Sequence, residues 1–142
     1  MQFMKMRAVF ITLTVFSVSM LAALAYDVRW HDVDSGMQEG KHAHKYILAD
    51  VYTNWCGWCK KLDRDTFSDQ GLVEFLNQKF VCVKANAEDH AAGEKLAHQY
   101  SVSGFPCALV FDYNGKLIGR IVGYKDASGY ESALTDIIAN HQ

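Results

Sequence analysis

From Tyr46 to Tyr52 the chain reads Tyr-Ile-Leu-Ala-Asp-Val-Tyr, a nearly unbroken apolar run of strand length and the pattern of a central strand covered on both faces. Its one charge, Asp50, is conspicuous there. Phe80-Val81-Cys82-Val83-Lys84-Ala85 predicts another strand, and a short one is expected near Val28 to Trp30. Ala108 to Phe111 and Leu117 to Val122 flank Asp112-Tyr113-Asn114-Gly115-Lys116, whose Asn-Gly pair signals a hairpin. Helical spacing is expected through Asp34 to His44, with Met37 as the main apolar position and Lys41, His42 and His44 marking the end. Cys56 to Arg64 lacks strand alternation and favours helix. Further helices are predicted from about Asp69 to Gln78, with Leu72, Val73, Phe75 and Leu76 as the apolar face and Ser68 as N-cap, and from His90 to Tyr100, with Leu96 and Ala97 inward. A last helix from Ala127 to Asn140 carries Tyr130, Leu134, Ile137 and Ile138. Strands and helices alternate and close with a β-β-α unit, which predicts an α/β fold: a mixed central sheet flanked by helices on both faces.

Composition narrows the class. Of 142 residues, 50% are apolar and 21% charged, ordinary globular usage that disfavours a disordered or multi-span membrane chain. Met1 to Arg7 carries two cations and no acid, Ala8 to Leu21 is mostly apolar, and Ala23-Leu24-Ala25 puts small residues before Tyr26. This pattern predicts a secretory signal peptide over residues 1–25, cleaved after Ala25, and one domain over residues 26–142. The competing assignment is an uncleaved anchor, diluted by Thr12, Thr14, Ser17 and Ser19. The formal charge is −2, and removing Lys5 and Arg7 leaves 12 basic against 16 acidic residues, a formal −4. Nothing in this balance suggests nucleic acid, whose phosphates call for clustered positive charge. Export to the periplasm or outside the cell puts the cysteines in an oxidising space.

Cys56-Gly57-Trp58-Cys59 follows a buried-type strand and opens a helix, so both sulfurs share the first turn and can join in a small ring. Unpaired N–H groups and the positive end of the helix dipole favour a thiolate at Cys56, and such settings lower a thiol pKa from about 8.5 into roughly 3.5–7.5. Cys56 is the predicted attacker, and the less exposed Cys59 would resolve the mixed disulfide. Two inert core cysteines or half of a zinc site are the alternatives. Zinc needs four ligands, and the nearest candidates, His42 and His44, lie on the wrong side of a strand and read as solvated helix-end residues. No metal is expected.

The stretch Leu48-Ala49-Asp50-Val51-Tyr52-Thr53-Asn54-Trp55-Cys56-Gly57-Trp58-Cys59-Lys60 resembles the active-site strand and turn of the thioredoxin superfamily. Val102-Ser103-Gly104-Phe105-Pro106 resembles its cis-proline loop, and the Asn-Gly hairpin followed by Gly123 and a final helix resembles its closing unit. The resemblance runs from about Val28 to Asn140 and is nearest to exported members with a Trp-Cys-Gly-Trp-Cys site. It implies that Asp50 is the buried acid that takes the proton of Cys59 through a water; a strand-end aspartate bonded to backbone is the alternative. It implies a cis bond before Pro106, leaving neighbouring backbone free to pair with an extended substrate. Trp55, Gly57, Trp58, Phe105 and Pro106 would form the substrate-binding surface. Two residues depart from the pattern. Trp58 replaces the proline usual between the cysteines of cytosolic thioredoxins, so reducing power cannot be carried across. Cys107 directly follows Pro106 and is either a third redox-sensitive thiol or a small buried residue. In the family's strand order Cys82 and Cys107 flank the active-site strand, too far apart to bridge, so both are expected to be free.

These features predict an exported thiol:disulfide oxidoreductase, an enzyme that reduces protein or small-molecule disulfides by exchange at Cys56 and Cys59. It needs no cofactor, draws electrons from a membrane donor, and acts as a monomer. The rival is a binding module whose dithiol holds a metal or partner without turnover.

Overall fold

In the computed structural model, residues 27–142 are described; the leader expected over residues 1–25 lies outside them. Five strands and five helices follow in the order β1 (Trp30–His31), α1 (Val33–Ala43), β2 (Tyr46–Tyr52), α2 (Gly57–Asp65), α3 (Gln70–Lys79), β3 (Phe80–Asn86), α4 (Ala92–Gln99), β4 (Cys107–Phe111), β5 (Leu117–Val122) and α5 (Ala127–Ala139). The strands form one sheet in the order β1-β3-β2-β4-β5. β3 runs parallel to both β1 and β2, while β4 is antiparallel to β2 and β5. The architecture is α/β with a mixed sheet.

Alternation along the strands sends side chains into two separate cores. On one face Leu48, Cys82, Val110 and Ile121 pack with Leu62 of α2, Leu72, Val73 and Leu76 of α3, and Tyr130 and Leu134 of α5. On the other, Ile47, Ala49, Val51, Val83, Leu109 and Phe111 pack with Val33 of α1 and Leu96 and Ala97 of α4. The apolar runs in β2, β3 and β4 are the consequence of this two-sided burial.

Four local expectations change. Asp69, not Ser68, caps α3: its carboxylate accepts the Leu72 N–H at 2.9 Å, whereas the Ser68 hydroxyl turns back to the Arg64 carbonyl. β1 lies at Trp30–His31, although Val28 is buried as part of the core. α4 starts at Ala92, not His90, because Asp89 accepts the N–H groups of Ala91, Gly93 and Glu94 and His90 takes a left-handed φ of 56°. In α1 the buried positions are Val33, Gly36 and Gly40, and Met37 only flanks the core. A hydrophobic pattern cannot reveal a helix face made of glycine.

That face lets α1 lie close on the sheet, for a β-carbon at Gly36 would collide with the Val83 side chain and one at Gly40 with Ile47. Gly36→Ala is therefore expected to destabilise the fold by about 1–3 kcal/mol despite alanine's better helix propensity. Urea unfolding measures this, and an unchanged or raised midpoint would contradict the close approach.

Candidate active site

β2 ends at Tyr52, and a short turn delivers Cys56 to the N-cap of α2. There the Cys56 backbone is extended, its N–H donates to the Thr53 carbonyl at 3.3 Å, and its Sγ accepts the Cys59 N–H at 3.1 Å. Cys56 and Cys59 are joined as a disulfide, with Cα atoms 5.3 Å apart. Both are buried, Cys56 at 5% exposure and Cys59 at 2%. A sulfur at this position meets a free helix N–H and the positive end of the helix dipole, the two features that favour a thiolate once the bond is reduced.

Around the buried ring stand exposed aromatics, Trp55 at 67% and Trp58 at 59%. Trp55 meets the Phe105 ring edge-on at 6.0 Å and donates through Nε1 to Glu88 Oε1 at 3.0 Å. Trp58 leans on Tyr124 at 5.7 Å, and Lys61 Nζ sits 4.8 Å from the same tyrosine ring. Gly57 is exposed, with open space where a β-carbon would stand. The Phe105–Pro106 peptide is cis, Pro106 is buried, and its carbonyl accepts the Gly123 N–H at 2.9 Å. The Val51 to Cys107 register and the contact between Phe105 and Trp55 bring this loop to the disulfide.

Asp50, 1% exposed, lies opposite Lys84 in the parallel pairing of β2 and β3. Its Oδ2 accepts from Lys84 Nζ at 2.7 Å, so its partner is a side chain from β3 and not the backbone. Its Oδ1 has no hydrogen-bond partner among the described residues. Lys84 also donates to Asp63 on α2, and its ammonium lies 4.7 Å from the Trp30 ring, 5.2 Å from Tyr52 and 5.4 Å from Phe67. Burial raises the Asp50 pKa above the usual carboxylate value, with Lys84 opposing and Asp63 reinforcing the rise. Burial alone would lower the Lys84 pKa, but the two carboxylates outweigh it and hold it above the ordinary lysine value. The sequence reading passed over Lys84, Asp63, Glu88 and Tyr124. For Lys84 a signal existed: it is the one charge in an otherwise apolar buried strand, as Asp50 is in β2.

Cys82 and Cys107 are free, buried, and in opposite cores. Burial pushes the Cys82 thiol up to about 12 and raises Cys107 as well, so both stay protonated. His42 and His44 close α1 at the far end of β2, where the His44 ring packs on Tyr113 at 5.3 Å. Among the described residues no group of three or more His, Cys, Asp or Glu side chains is arranged to hold a metal ion, and no helix is long and apolar enough to cross a membrane.

The sequence profile of the thioredoxin-like domain matches residues 33–138. The chain is 32% identical over 108 residues to the thiol:disulfide interchange protein DsbD of Photorhabdus laumondii, covering 74% of this chain and 18% of that protein. It is 29% identical over 86 residues to the protein disulfide-isomerase of Datisca glomerata, covering 61% of this chain and 17% of the relative. The chain thus spans less than a fifth of the length of these two relatives. A thioredoxin from Thermus thermophilus superposes with a TM-score of 0.72 at 18% identity, over 79% of this chain and 88% of that one, a likeness of fold.

Two measurements probe this arrangement. Denatured, oxidised protein should expose two alkylatable thiols, Cys82 and Cys107, and native protein none; any other count contradicts the free buried pair. The raised carboxyl pKa of Asp50 means that the stability its neutral form contributes is complete below the unfolded value of 3.8 and is lost as pH rises through the folded midpoint. The stability of the wild type relative to Asp50→Asn should therefore decline from about pH 4 upward in urea titrations. A flat difference across that range would refute the shift.

Proposed function

The chain belongs to the thioredoxin-like domain family, and from that premise we propose that it is a thiol:disulfide oxidoreductase working through Cys56 and Cys59. The observation that carries the reading is the closed Cys56–Cys59 pair at the N-terminus of α2, with the Cys56 sulfur already accepting a helix N–H. In the reduced protein the Cys56 thiolate attacks one sulfur of a substrate disulfide. A Cys56–substrate bond forms, the substrate S–S bond breaks, and one substrate thiolate leaves and takes a proton from solvent. Asp50 then accepts the Cys59 proton through a water, and burial, which raises its pKa, makes its carboxylate a better proton acceptor than an exposed one. The Cys59 thiolate attacks Cys56 Sγ, the mixed disulfide breaks, and the second substrate thiolate departs and takes a proton from solvent while Asp50 releases its own, leaving the Cys56–Cys59 bond. Two electrons and two protons pass to the substrate.

Trp55, Gly57, Trp58, Phe105 and Pro106 form the docking surface for an extended disulfide-bearing segment. Apolar exposure concentrated around a buried disulfide supports this, since Trp55 and Trp58 are the most exposed large rings described. The favoured direction is reduction, with recharging by a membrane electron donor and residues 26–142 acting as a monomeric domain in the periplasm or outside the cell. Support comes from the cationic, apolar and small-residue pattern of residues 1–25 and from the similarity to an interchange protein.

With dithiothreitol as electron source, the protein should accelerate insulin reduction, and Cys56→Ser should return the rate to the uncatalysed background. Cys59→Ser should instead accumulate a mixed disulfide with substrate, seen as a mass adduct that reductant removes. Absence of turnover together with stoichiometric metal binding would replace the enzyme with a binding module.

A further inference from the structure

Tyr130 lies on α5 in the core, fully buried, and its hydroxyl has no hydrogen-bond partner among the described residues. Asp50 Oδ1 is in the same condition. The two groups share one face of the sheet. Lys84, Asp50, Ala108 and Ile121 form a row across β3, β2, β4 and β5. Alternation turns that row toward the cluster that contains Ala108, Ile121, Phe67 and Tyr130. Next to Asp50 in the row stands Ala108, which rises from the sheet by only a methyl group, so the layer above it must be filled from the helices. Phe67 joins the two sites: its ring is 5.2 Å from that of Tyr130 and 5.4 Å from Lys84 Nζ, the cation bound to Asp50.

A buried hydroxyl without an acceptor and a buried carboxylate oxygen without a donor are each unfavourable, and each is what the other lacks. We propose that the Tyr130 hydroxyl donates to Asp50 Oδ1 through one buried water, making Tyr130 a positioning residue that eases ionisation of the buried acid. One water bonded to both would satisfy the two groups together. Burial, with the Asp50 charge next in effect, holds the Tyr130 phenol well above its ordinary pKa, so it stays protonated and can donate. The other titratable groups around the pair are Lys84 from β3, bound to Oδ2, Asp63 from α2, bound to Lys84, and the protonated thiols of Cys82 and Cys107. The link follows from the shared face and the two unpartnered atoms, while its consequence for turnover rests on the reading of Asp50 as acceptor of the Cys59 proton.

The test is Tyr130→Phe, which keeps the ring and its packing on Phe67. In oxidised protein, the midpoint of the Asp50 carboxyl carbon resonance should rise by about one pH unit, a tenfold gain in proton affinity from loss of a donor to the ionised form. Tyr130→Phe should also cost more stability in the wild type than in Asp50→Ala. An unmoved midpoint, or additive stabilities, overturns the link. A shifted midpoint with an unaltered pH profile of insulin reduction keeps the link and removes Asp50 from the role of proton acceptor.

Discussion

Strand β2 has no free edge. It is paired along its whole length with β3, and over Ile47 to Val51 with β4, while both of its faces are covered by helices. Each chemical feature of the site is a position measured along it: Asp50 opposite Lys84, Val51 opposite Cys107 and hence the Pro106 loop, and Cys56 just beyond its end. A slip of one residue would turn Asp50 toward the other core and leave Lys84 facing an apolar side chain. The sheet therefore sets the register of the site, to which α2 adds Cys59, the N–H that the Cys56 sulfur accepts, and Asp63.

The polar chemistry below the disulfide is held in a small space. One ammonium serves two carboxylates, Asp50 and Asp63, and is bordered by the rings of Trp30, Tyr52 and Phe67. Aromatic faces attract a cation without competing for its protons, which leaves the Lys84 N–H groups for the acids. The arrangement carries a desolvation cost at Asp50 that an apolar residue would avoid, and active sites are where such costs accumulate.

Much of this was legible in the chain itself. The apolar runs of β2 and β3, the Asn-Gly hairpin and the Cys-x-x-Cys pair are local signals, and each stands where its pattern put it. What escaped depends on contacts between distant segments. Gly36 and Gly40 acquire meaning only when Val83 and Ile47 lie against them. Lys84 reads as a stray charge until the parallel register sets it opposite Asp50. Glu88 holds the Trp55 indole from a loop 33 residues away, and no periodicity announces that pairing. At Ser68 and Asp69 two competent caps adjoin, and the serine hydroxyl is engaged by the Arg64 carbonyl while Asp69 takes the helix N–H.

The cysteine crosslink closes a loop with a sequence separation of only 3. On the chain-entropy account, so short a loop restrains the unfolded polypeptide by about 2 kcal/mol, much less than a crosslink between distant segments would. Cys82 and Cys107 lie in separate cores and cannot stitch the sheet together. The scaffold thus rests mainly on its two packed cores, and the short sulfur ring adds only a local restraint.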